Sequence, residues 1–103
     1  KYLDGAMPEG SRTKLFGRGQ RYETESAENS IRKYVNYAKE IGLDPSVMAN
    51  AFVNSRDFVT SNIIGATTME QLRLAVRSYE VDLTEENFEA LDAIHAACPN
   101  PCP

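Results

Sequence analysis

Apolar residues recur at helical spacing in four stretches of the chain, and polar or turn-forming residues punctuate each stretch. In the first, Ile31, Tyr34, Val35, Ala38 and Ile41 line one face of a helix predicted over 26–41. Ser26 stands where an N-cap belongs, and Gly42 where a left-handed residue closes a helix. Asp44-Pro45 then opens a second helix, 45–55. An aspartate caps orphan amides, and proline at the first helical position lacks only an N–H that has no partner there. Val47, Met48, Ala51 and Phe52 form its apolar stripe. A third helix, 67–78, starts at Thr67 with Glu70 three residues on, the spacing of a capping box, and carries Leu72, Ala75, Val76 and Tyr79. The fourth, 84–97, starts at Thr84 with Glu85 and Glu86 at the positive end of its dipole. Ala90, Leu91 and Ile94 make its apolar side, and Pro99 bars continuation.

Two segments lack this period. Residues 1–25 hold four of the six glycines and read as one long loop. Residues 58–64 (FVTSNII) are rich in β-branched side chains and stop at Gly65, which predicts a strand. The order is therefore loop, helix, helix, strand, helix, helix. A lone strand makes no sheet. Either the chain is a small helical bundle, or the partner strands lie outside these 103 residues. The start at Lys1, without a methionine, favours the second.

Composition narrows the class. With 42% hydrophobic and 25% charged residues the chain is ordinary globular sequence, and no apolar run is long enough to span a bilayer. The net charge of −4 conceals an uneven distribution. Residues 10–21 hold Arg12, Lys14, Arg18 and Arg21 with no acid, on an otherwise acidic body. Such a glycine-containing loop is either a solvated face or an anion site. Nucleic acid is disfavoured by the pI of about 4.9 and by aromatics that do not interleave with the basic residues. Cys98 and Cys102, in the terminal CPNPCP, have no metal-ligand spacing and read as free thiols, so no metal is expected.

The sharpest local feature is IIGATTMEQL, residues 63–72. A strand running through a Gly-Ala turn into a capped helix that begins at Thr67 or Thr68 places free N–H groups and a positive helix end together, a ready anion site. The Lys1-Tyr2 opening, the loop with Ser11-Arg12, two helices, IIGATTMEQL and the terminal LTEENFEALDAI follow one another in an order that resembles the C-terminal part of the aldo/keto reductases. The likeness is to the NADPH-dependent branch that includes bacterial reductases and the potassium-channel beta subunits.

That resemblance implies an α/β fold, the last third of a (β/α)8 TIM barrel of roughly 300 residues, mostly helical with one strand at about 58–64. Residues 1–25 would be a cofactor-strapping loop. Residues 26–103 would hold the seventh helical layer (26–41 and 45–55), the eighth strand, the eighth helix (67–78) and a C-terminal extra helix (84–97). It further implies that NADPH binds here. Lys1 matches a lysine near the pyrophosphate, and Ser11 and Arg12 a pair in the strap. Gly65, Ala66 and Thr67 match the turn at the 2′-phosphate, and Gln71 a polar residue at the ribose-adenine end.

One departure stands out: Leu74 and Ala75 occupy the positions of a Glu-Asn pair that clamps the adenine amine. The family's catalytic Tyr, Lys, Asp and His lie outside this chain. His95, on the last helix, is assigned a surface or packing role, and Tyr34 and Tyr37 helix packing. The expectation is a fragment of a reductase acting on a small carbonyl substrate, in the cytoplasm or an organelle stroma. Its apolar face would be covered by the remainder of the barrel or by another protein. The alternative is a non-catalytic structural or binding subunit built on the same fold.

Overall fold

The computed structural model describes residues 2–17 and 22–102. A 3-10 turn at Leu3–Gly5 precedes five helices: α1 (Arg12–Phe16), α2 (Glu25–Glu40), α3 (Pro45–Asn54), α4 (Met69–Arg77) and α5 (Glu85–Ala97). The 3-10 turn Ser78–Glu80 extends α4. The segment expected as one long loop thus contains the 3-10 turn Leu3–Gly5 and α1, which ends at Gly17 in the left-handed region.

The caps explain where the helices begin. Thr24, not Ser26, caps α2: its hydroxyl accepts from the Ala27 N–H at 3.1 Å. Ser26 falls inside the first turn, where its hydroxyl and that of Thr24 both donate to the Pro101 carbonyl, docking the C-terminal tail on α2. Gly42 does close α2, with φ of +72°. Asp44 caps α3 as expected, accepting from the Ser46 N–H at 2.8 Å. At α4 the cap is Thr68, the second of the two threonines expected to open it, and the partner is Gln71 rather than Glu70. Thr84 and Asn87 form a complete capping box on α5.

The core sits where α2 meets α3 and α5. Ala38, Met48 and Leu91 are buried together, with Tyr34, Tyr37, Ile41, Leu43, Phe52 and Leu83 packed around them. Small residues at Ala27, Ala38 and Ala51 bring the helix backbones close, so the stripes read on α2 and α3 are the ones buried. Phe52 of α3 meets Phe88 of α5 at 6.0 Å between ring centroids, and the Arg56 guanidinium lies 4.0 Å over the Phe52 ring.

The β element of the expected order is not formed. Residues 58–64 form no strand. A strand exists through ladder hydrogen bonds to a neighbour, and the described residues supply no second strand to pair with. Phe58 and Ile63 are accordingly 85% and 94% exposed. Of the stripe that begins on α4, Leu72, Val76 and Tyr79 are exposed, part of the apolar face expected to be covered by other residues, while Ala75 is half-buried with Leu74. No helix among the described residues is long and apolar enough to cross a membrane.

Candidate functional site

The turn leading into α4 gathers four of the predicted site residues. Gly65, Ala66 and Thr67 are exposed, and Gln71 folds back over them from the first turn of the helix. Its Oε1 accepts from the Thr67 N–H at 2.9 Å and from the Thr67 hydroxyl at 3.1 Å. Thr68 Oγ1 accepts from the Gln71 N–H, so the side chain that caps the helix fixes the residue that covers the turn. The donors sought for an anion are therefore held by a neutral amide oxygen on a solvent-facing side chain. An anion with stronger acceptor oxygens can take its place at a helix N-terminus.

Ser11 and Arg12 stand elsewhere, at the start of α1. Ser11 is the N-cap by backbone geometry, its carbonyl accepting from Leu15 N–H at 3.0 Å and its own N–H donating to Pro8 at 3.1 Å. Its hydroxyl caps nothing: Oγ is buried and has no hydrogen-bond partner. A buried hydroxyl left unpaired costs free energy, about 1–3 kcal/mol by mutational scales. Arg12 is exposed. Lys14 reaches Glu9 at only 3.6 Å. Lys1, expected near the pyrophosphate, and Arg18 and Arg21 of the basic segment lie outside the described residues.

The N-terminal segment is tied to α2 at its first turn. Asp4, with φ of +59°, presents its carboxylate to Arg32 of α2, at 2.7 and 3.3 Å. Arg32 also holds Glu28 at 2.9 Å. Hydrogen bonding and charge from Arg32 keep the Asp4 carboxyl below its ordinary value. Beside this anchor lies a cleft of about 460 Å³ lined by Tyr2, Leu3, Met7, Thr13, Tyr22 and Ile31, which no motif announced.

Leu74 and Ala75 are half-buried. Ala75 joins Asn62, Ile64, Val76 and Tyr79 around a shallow hollow of about 150 Å³. A larger groove of about 550 Å³ between α2, α3 and α5 contains His95, with Tyr34, Met48, Phe52 and Leu91. Burial, and the charge of Asp92, push the Tyr34 phenol upward. It therefore stays protonated near neutrality and packs rather than ionises. Among the described residues no group of three or more His, Cys, Asp and Glu could hold a metal ion, and Cys98 and Cys102 are free thiols.

The polar network at the foot of α3 was not read from the sequence. Asn62 donates to both Asn50 and Asn54, and Asn54 donates to Ser78. The i, i+4 spacing of Asn50 and Asn54 was the available signal.

Residues 2–96 match the model of the aldo/keto reductase family. Protein tas of Escherichia coli (strain K12) is 42% identical over 103 residues, all of this chain and 30% of its own length. Protein tas of Shigella flexneri shows the same identity and coverage. A Schizosaccharomyces pombe protein named "Putative voltage-gated potassium channel subunit beta" is 36% identical over 101 residues, 91% of this chain and 29% of its own. The chain thus spans about 30% of the length of these curated relatives. A mostly helical segment of that fold, it belongs to the aldo/keto reductase family.

Proposed function

We propose that these residues supply the site for the adenosine 2′-phosphate and the pyrophosphate of NADPH, in a reductase whose catalytic Tyr, Lys, Asp and His lie outside this chain. The observation that carries the reading is the turn at 65–71. There the Thr67 N–H and hydroxyl point at one acceptor, the Gln71 amide oxygen, at the N-terminus of α4. A phosphate would displace that oxygen, take both donors, and gain from the helix end. Ser11 fits a strap, since its buried hydroxyl lacks a partner that a phosphate oxygen would provide. Arg12, exposed beside it, offers a planar guanidinium to the same charge. Lys1 enters this site only through the family pattern.

Bound NADPH would supply a hydride to a small carbonyl substrate. The part played by this chain is to hold the far end of the cofactor and to fix its charge. On this reading the chain is the last third of a (β/α)8 barrel, with 1–25 as the strap. Residues 58–64 would acquire ladder partners only from the other strands, which would also cover Phe58, Ile63, Val76 and Tyr79.

A second reading has its own observation. Leu74 and Ala75 give the adenine amine nothing to bond, so the fold here could serve as a non-catalytic subunit docked on another protein. Nucleotide titration of the full-length protein separates the two. The reductase reading expects saturable NADPH binding, at least tenfold weaker binding of NADH, and loss of that preference in Arg12→Ala and Thr67→Ala. Absence of saturable binding overturns it and leaves the subunit reading.

A further inference from the structure

Asn62 stands three residues before Gly65 and is the point at which the irregular segment 58–66 is tied to the helices. Its Nδ2 donates to Asn50 Oδ1 at 3.0 Å and to Asn54 Oδ1 at 3.1 Å. The direction of every proton in this network is dictated from its far ends. Asn50 Nδ2 donates to the Ser46 carbonyl at 2.9 Å, which can only accept, so the Asn50 oxygen must face Asn62. Ser78 Oγ donates to the Ala75 carbonyl at 2.6 Å and accepts from Asn54 Nδ2 at 3.1 Å, so the Asn54 oxygen must face Asn62 as well. Asn62 therefore has to be a double donor. Ser78 is 1% exposed and the three amides are half-buried, so water is a poor substitute for these partners.

The two branches end on different elements, one in the first turn of α3 and the other on the Ala75 carbonyl in α4. Few other described bonds hold the segment between α3 and α4. Val59 N–H donates to the Arg56 carbonyl at its start, and Thr67 meets Gln71 at its end. Between them Gly65 and Ala66 are exposed, and nothing lies within 4 Å of a Cβ built on Gly65. The segment that leads into the 65–67 turn is thus anchored at Asn62, upstream of the turn, while the Thr67–Gln71 bonds close its far end on α4.

We propose that Asn62 is a positioning residue for the phosphate-binding turn, holding Gly65–Thr67 in register with the start of α4 through its paired bonds to Asn50 and Asn54. The proposal rests on the cofactor reading above. Its consequence is selectivity: a displaced turn loses contact with the 2′-phosphate, which NADPH has and NADH lacks, while contacts common to both are kept.

The test is titration of the full-length protein and of Asn62→Ala with NADPH and NADH, each with a thermal melt. The expected result is NADPH binding weakened about tenfold with NADH binding nearly unchanged. Asn62→Asp keeps the size but, when ionised, sets a carboxylate against two amide oxygens; it should show the same loss of preference. A fall in affinity for both nucleotides in proportion to a lowered melting temperature marks a merely structural role and overturns the proposal. So does an unchanged NADPH to NADH ratio, and so does failure of both variants to fold. If the unsubstituted protein binds no NADPH, the cofactor reading falls and the positioning role falls with it. If it binds and the variants match it, only the positioning role falls.

Discussion

Asn87 works at two junctions at once, so its removal gives a measurable coupling. Its Oδ1 accepts from the Thr84 N–H at 3.0 Å, completing the box on α5, and its Nδ2 donates to the Tyr37 hydroxyl of α2 at 2.9 Å. The cap lies on an exposed surface, where water takes over a lost bond, so its share is near the low end for caps, about 0.5 kcal/mol. The bond to Tyr37 is part-buried and joins two helices, worth about 1 kcal/mol net. Asn87→Ala should then cost about 1.5 kcal/mol and Tyr37→Phe about 1 kcal/mol, both by those same magnitudes. The double variant should cost only about 1.5 kcal/mol, because the shared bond is lost once. Urea unfolding followed by far-UV circular dichroism on the four proteins yields this cycle. Additivity to within about 0.3 kcal/mol would refute the reasoning, since it would mean that the two side chains do not depend on one another.

Three further outcomes are expected. Gly42→Ala should destabilise by about 1 kcal/mol although a Cβ there meets nothing within 4 Å, because φ of +72° is strained for alanine; an unchanged urea midpoint would count against the left-handed closure of α2. At Asp44, burial raises the carboxyl, but hydrogen bonds from the Ser46 side chain and backbone and from the Val47 backbone outweigh it and leave it below its ordinary value. Its stabilising effect is therefore complete above the unfolded carboxylate value and is lost as pH falls through the lower folded one; Asp44→Asn should flatten the acid limb of a stability-against-pH curve. Arg56→Ala should cost about 1 kcal/mol by losing its place over the Phe52 and Phe88 rings, at 4.0 and 4.9 Å, and should cost less in a Phe52→Leu background, where the nearer ring is gone.

The candidate site was legible to the extent that its chemistry is local. Gly65, Ala66, Thr67 and Gln71 lie within seven residues, and a helix start fixes their geometry without help from distant parts of the chain. Even there the structure had to choose between two adjacent threonines that look alike in a sequence: Thr68 caps and Thr67 is freed to face Gln71, because capping depends on which residue leaves the helical geometry. The Asn62 network was missed for the opposite reason. Its members come from α3, the irregular segment and the turn after α4, and only packing brings them within hydrogen-bond distance.

The sequence by itself determined the four long helices and their caps at Asp44 and Thr84, since helical periodicity and capping are decided within a few residues. It also determined family membership, carried by motifs in order along the chain. The tertiary structure decided which apolar stripes are buried. Those of α2 and α3 meet α5 and form the core, while that of α4 faces outward with Phe58 and Ile63. It decided, too, that FVTSNII is not a strand in this chain. Branched side chains favour extended backbone, but a strand is completed by a neighbour's hydrogen bonds, and that neighbour is not among the described residues.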